Sequence, residues 1–82
     1  MSETKFYVYS KAGCGFCDRL IQFMSLKGIK YEILSLGEDF TVEQFLNKFG
    51  RGSSFPQVNH KNLNIGGMKD TVKYIVEHNY HL

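Results

Sequence analysis

The chain has 82 residues, 43% of them hydrophobic and 22% charged, with a formal net charge of +2. Those values describe one small globular domain over residues 1–82 and exclude a disordered chain. The lysines Lys5, Lys27, Lys30, Lys48, Lys61, Lys69 and Lys73 form no basic run, no segment approaches the ~20 apolar residues that cross a bilayer, and Met1–Lys5 leads into a strand without an apolar signal region. The expectation is a cytoplasmic protein with neither a nucleic acid nor a membrane as partner.

Lys5–Tyr9 is a β-branched and aromatic run, apolar on both faces, which predicts a central strand covered on both sides. From Cys17 to Lys27 the apolar residues Cys17, Leu20, Ile21 and Met24 recur at helical spacing, and Gly28 supplies a stop. Lys30–Leu36 predicts a second strand. One helix between two strands makes a right-handed βαβ unit with the strands parallel. The turn that holds Cys14 then lies beyond the C-terminal end of the first strand, where open α/β sheets bind ligands.

Gly37–Phe40 reads as a turn, and Thr41-Val42-Glu43-Gln44 has the form of a capping box. Val42, Phe45, Leu46 and Phe49 make the apolar stripe of a second helix, which Gly50 ends. A polar loop, Arg51–Ser54, leads to Phe55-Pro56-Gln57-Val58 and an apparent third strand. Pro56 is the only proline, and without an N–H it must begin that strand or lie on an irregular edge. Asn59–Asn62 reads as a turn and Leu63–Ile65 as a fourth strand, together a polar hairpin in which His60 is either at the frayed end, the favoured reading, or a satisfied, partly buried histidine, with no catalytic role. Gly66-Gly67 allows close approach of a partner. Asp70 caps or precedes the last helix, in which Met68, Val72, Ile75, Val76 and Asn79 share a face, and the N-terminus of that helix suits an anion.

Both cysteines, Cys14 and Cys17, lie in the turn that opens the first helix. A cross-link over so short a loop removes little entropy from an unfolded chain, so its worth lies in being made and broken. Unpaired N–H groups and the positive end of the helix dipole favour thiolate over thiol at the first cysteine, and Lys11 adds a positive charge. Thiols placed this way fall from ~8.5 into the range ~3.5–7.5, so Cys14 is the candidate nucleophile. Cys17, one turn further in and flanked by Phe16 and Leu20, is less accessible and placed to attack Cys14 in a mixed disulfide. Zinc is the competing use of the pair, with His78 and His81 as further ligands. About sixty residues separate the two pairs, against ~12–20 in structural zinc sites. Two inert buried thiols are the other alternative, and Gly13 and Gly15 argue against it by opening the backbone around them. In a reducing compartment a lone Cys-x-x-Cys beside a βα pattern points to thiol–disulfide exchange.

Three motifs in this order, Lys11-x-x-Cys14-x-x-Cys17, Phe55-Pro56-Gln57-Val58 and Gly66-Gly67-x-x-Asp70, resemble the glutaredoxin family, from about Lys5 to Glu77. The resemblance implies an α/β thioredoxin fold, a four-stranded mixed sheet in the order 2-1-3-4 flanked by three helices. It implies a monomer and a glutathione-dependent disulfide oxidoreductase that reduces protein disulfides and protein–glutathione mixed disulfides, with ribonucleotide reductase as one client. Glutathione would be reductant and cosubstrate, with no metal. Cys14 would be the nucleophile and Cys17 the resolving thiol. Pro56 would be cis and hold the Phe55 backbone against the cysteine of glutathione. Lys11, with Arg51 or Gln57, would meet its glycine carboxylate. Met68 and Lys69 N–H groups and the Asp70 side chain would hold its γ-glutamyl end, with Phe16 and Gly67 completing the set. Where most dithiol members carry Pro-Tyr between the cysteines, this chain has Gly15-Phe16. Cys-Gly-Phe-Cys is also similar to the Cys-Gly-Phe-Ser of single-cysteine members that share an iron–sulfur cluster between two subunits and two glutathiones. A cluster carrier is therefore the alternative, although the chain contains no Trp and lacks the longer loop those proteins carry before the first cysteine.

Overall fold

Strand β1, Phe6–Ser10, buries Phe6, Val8 and Ser10 and leaves Tyr7 and Tyr9 half-buried, so one of its faces is sealed and the other partly covered. These features come from a computed structural model that describes residues 5–78. β1 pairs in parallel with β2, Tyr31–Ser35, and antiparallel with β3, Gln57–His60. β3 in turn pairs antiparallel with β4, Leu63–Gly66, giving the order β2-β1-β3-β4. Helix α1, Gly15–Leu26, makes the crossover from β1 to β2, with α2 at Val42–Phe49 and α3 at Met68–Glu77. This is the mixed sheet and three-helix arrangement of the thioredoxin fold.

The sealed face is the core. Leu20 and Met24 of α1 and Ile75 of α3 close over Phe6, Val8 and Val58. Full burial of each such side chain stabilises by about 1.5–3 kcal/mol, which is why the apolar positions of α1 recur at helical spacing. The other face is held by rings. Tyr9 packs on Phe40 at 5.1 Å and Phe49 at 4.9 Å between centroids, and Phe45 stacks on Phe55 at 4.1 Å. Burial pushes the Tyr9 phenol above its ordinary pKa. Each aromatic pair adds about 0.5–1.5 kcal/mol beyond its buried area, so a helix of 8 residues is enough to cover this side. The capping box at its start is complete: the Gln44 N–H donates to Thr41 Oγ1 at 3.1 Å, and the Thr41 N–H donates to Gln44 Oε1 at 2.8 Å.

The structure corrects the sequence reading in three places. His60 is not frayed but completely buried, its ring stacked on Phe6 at 3.9 Å and its Nδ1 hydrogen-bonded to the Tyr74 hydroxyl at 3.1 Å. Asn59 and His60 belong to β3, and the hairpin turns on Lys61 and Asn62 alone, at φ 55° and 64°. Two left-handed residues are what a two-residue turn between twisted strands requires. In α3, Gly67 is the N-cap and Asp70 lies inside the first turn. Thr71 takes the buried slot beside Ile75, whereas Val76 is 59% exposed. Asn79 lies outside the described residues.

Replacing His60 with Ala should cost about 2–4 kcal/mol, by loss of ring packing and of the Tyr74 hydrogen bond. Tyr74→Phe should cost about 1 kcal/mol. Urea unfolding followed by far-UV circular dichroism measures both, and a loss under about 0.5 kcal/mol for His60→Ala would remove this histidine from the core.

Candidate functional site

β1 ends at Ser10, and Lys11–Gly13 carry the chain over the sheet's edge, with Gly13 at φ 72°. Cys14 is then the N-cap of α1, extended at φ −97° and ψ 104°. Its carbonyl accepts the first helical bond from the Asp18 N–H at 3.1 Å, and its Sγ accepts from the Cys17 N–H at 3.2 Å. A cysteine sulfur thus takes the place that a Ser or Asp oxygen occupies at most N-caps. Cys14 and Cys17 are joined by a disulfide, with Cα atoms 5.2 Å apart. Cys17 is fully buried on the core side of α1, while Cys14 keeps 7% exposure. Of the two cysteines only Cys14 keeps any exposure and lines a surface depression.

Two depressions, each of about 530 Å³, meet beside this turn and share Phe16, Ser54 and Phe55. The first holds Lys11 and Cys14 and reaches Val42, Phe45 and Leu46 of α2. The second runs past Pro56 to Gly67, Met68 and Lys69 at the start of α3. The Phe55-Pro56 peptide between them is cis. The Lys11 ammonium lies over the Phe55 ring, 5.3 Å from its centroid. The groove is therefore mainly apolar, with a cation in one half and the opening turn of a helix in the other.

Of the residues singled out from sequence, Lys11, Cys14, Phe16, Phe55, Pro56, Gly67, Met68 and Lys69 come together here. Arg51 does not line either depression; it faces Glu43 at 3.7 Å, both side chains largely exposed. Gln57 donates from Nε2 to the Ser54 carbonyl at 2.9 Å, which ties the loop to β3. Asp70 lines neither depression but a smaller one of about 310 Å³ with Leu63, Asn64 and Lys73. Sequence reasoning passed over Ser53, Ser54 and Val42 as site residues. The two serines carry no pattern, and Val42 was absorbed into the core stripe of α2, yet it is 56% exposed. Among the described residues, no group of three or more His, Cys, Asp and Glu side chains comes together to hold a metal ion. His81 lies outside them.

The two glycines before α3 have different duties. Gly66 sits at φ +124°, and a Cβ there would lie 2.6 Å from Asp70 Oδ2. At Gly67 a Cβ would meet only the Pro56 carbonyl, at 3.5 Å. Gly66 thus sets the bend into α3, and Gly67 brings that helix close to the proline.

Comparison with known proteins gives a consistent picture. The glutaredoxin family model matches residues 7–63. A hybrid peroxiredoxin of Haemophilus influenzae is 36% identical over 67 residues, which are 82% of this chain and 27% of that protein. The chain therefore spans about a quarter of that relative's length. Among solved structures, glutaredoxin 1 from Francisella tularensis, complexed with cacodylate, has a TM-score of 0.75 at 18% identity, covering 93% of this chain and 95% of its own. A buckwheat glutaredoxin–glutathione complex has a TM-score of 0.74 at 22% identity, covering 89% and 69%.

Gly66→Ala should destabilise the protein by about 1–3 kcal/mol, since the new side chain meets both a disfavoured backbone conformation and the Asp70 carboxylate. Gly67→Ala should stay within about 1 kcal/mol of the parent. Thermal melts of the two variants check the contrast, and equal melting temperatures would contradict it.

Proposed function

The chain belongs to the glutaredoxin family, and from that premise we propose that it is a glutathione-dependent oxidoreductase acting on protein disulfides and protein–glutathione mixed disulfides. The observation that carries the reading is the Cys14 sulfur at the N-cap of α1, paired with a buried Cys17 at the mouth of the groove. Once the disulfide is opened, the Cys17 N–H and the helix N-terminus favour the Cys14 thiolate, which is the attacking species in exchange.

With a glutathione mixed disulfide as substrate, the Cys14 thiolate attacks the glutathione sulfur. A Cys14–glutathione bond forms, the substrate S–S bond breaks, and the substrate leaves as a thiolate that takes a proton from water. A second glutathione thiolate then attacks the glutathione sulfur, releasing glutathione disulfide and restoring Cys14. With a protein disulfide, Cys14 forms a mixed disulfide with one client sulfur, and Cys17 attacks Cys14 Sγ to release the client dithiol. Two glutathiones reduce the Cys14–Cys17 bond and carry off its two-electron oxidation as glutathione disulfide. Enzymes that form a disulfide at each turnover, ribonucleotide reductase among them, are the client class this chemistry serves.

The groove suits the tripeptide in polarity. Glutathione has two carboxylates and one ammonium; Lys11, in one half, would meet its glycine carboxylate, and the N–H groups of Met68 and Lys69, at the start of α3 in the other, would meet the γ-glutamyl carboxylate. Phe55, whose peptide bond to Pro56 is cis, lies between them, and its backbone would pair with the central cysteine as an added strand does. The buckwheat relative's complex with glutathione supports the choice of ligand.

Reduction of a glutathionylated peptide by glutathione, glutathione reductase and NADPH tests the proposal, and a rate at the uncatalysed level would overturn it. Cys14→Ser should abolish turnover. Cys17→Ser should retain reduction of the mixed disulfide and lose most activity on a peptide disulfide. Equal loss in both variants on the mixed disulfide would contradict the assigned roles.

A further inference from the structure

The depression that holds Cys14 has an apolar wall on the side of α2, away from the start of α3. Val42 and Leu46 of α2 and Phe16 of α1 form it, and Val42 and Phe16 are 56% and 61% exposed. Neither is needed to close the core, since Phe45 makes the ring contacts that seat α2. Apolar side chains exposed together around one recess mark a contact surface. The only charged residue in the recess is Lys11, whose ammonium has no acidic partner among the described residues.

We propose that this wall is a subsite for client polypeptides, taking an apolar side chain next to the client's disulfide-bonded cysteine while an acidic group of the same segment meets Lys11. The inference rests on the exchange chemistry proposed above. Cys14 is part of the lining, so a client sulfur bonded to it sits at the mouth of this recess with its flanking residues within reach of the wall. A volume of about 530 Å³ lies within the ~300–1,000 Å³ of small-ligand sites and exceeds what the glycine of glutathione fills. Glycine has no side chain to lay on Val42 and Leu46, so the wall separates protein clients from glutathione itself. Lys11 serves both, as the cation for a glycine carboxylate or for a client's acidic side chain.

The step that the subsite assists is the first exchange. The Cys14 thiolate bonds to the client sulfur, the client's S–S bond breaks, and its second sulfur leaves as a thiolate that takes a proton from water. Cys17 supplies the second sulfur of the product disulfide, so two electrons pass from the Cys14–Cys17 dithiol to the client.

Two disulfide-bonded peptides provide the test, one with its cysteine between Leu and Asp and one with it between Ser and Asn. The native protein should prefer the first by about tenfold in kcat/KM, the discrimination an apolar pocket commonly achieves. Val42→Gln with Leu46→Gln, which keeps helix-forming residues and adds no charge facing Lys11, should bring the ratio close to one. Equal kcat/KM for the two peptides with the native protein, or a preference that survives the double substitution, overturns the subsite. The native protein's own ratio decides the matter even if the variant folds poorly. Failure to reduce either peptide or a glutathionylated one would instead overturn the exchange reading, and the subsite with it.

Discussion

One hydrogen bond, from the Cys17 N–H to the Cys14 sulfur at 3.2 Å, concentrates what the rest of the chain is arranged to provide. It exists because α1 begins at Gly15, immediately after the cysteine, and because β1 and the left-handed Gly13 deliver Cys14 to that point. The bond makes the Cys14 sulfur part of the helix cap. The same register turns Cys17 into the core with Leu20 and Met24, so the two thiols are unequal in exposure for a purely geometric reason. An exchange centre needs that inequality: one sulfur must be reached from outside and the other only through the first.

Two layers of packing hold the parts that face Cys14. The Phe6–Val8–Val58 core with α1 and α3 fixes the sheet to the helix that carries the cysteines. On the other face, the rings of Tyr9, Phe40, Phe45 and Phe49 reach Phe55, so α2 is tied to a residue that lines both depressions. Phe55 then bears on Lys11 through its ring. The loop before Pro56 is held where it meets β3 by ring stacking at Phe55 and the Gln57–Ser54 hydrogen bond, and tied back to α2 by the Ser53 hydroxyl, which donates to the Phe49 carbonyl at 2.8 Å.

Much of this was legible in the chain itself. The helical spacing in α1, the capping box at Thr41 and Gln44, and the two glycines before α3 each encode local structure through neighbours within a few residues. The placement of Cys14 at a helix start followed from the same local signals. What escaped notice depends on distant partners. His60 stays buried because Phe6, far away in sequence, lies opposite it in the β1–β3 register and takes its ring by stacking. Thr71 takes a core slot and Val76 does not, because the face of α3 that meets the sheet is set by docking and not by the apolar letters alone. The resemblance offered Arg51 or Gln57 as a groove residue, and the Arg51 side chain lies 3.7 Å from Glu43 on α2.

The central claim is that helix capping, together with burial of its neighbour, makes Cys14 the reactive sulfur. It is tested most directly by alkylating the fully reduced protein with iodoacetamide across a pH series and mapping the label by mass spectrometry. The account predicts label on Cys14 alone in the folded protein, with a rate that titrates below the ~8.5 of a free thiol. Equal labelling of Cys14 and Cys17, or a Cys14 rate that titrates as a free thiol does, would contradict it.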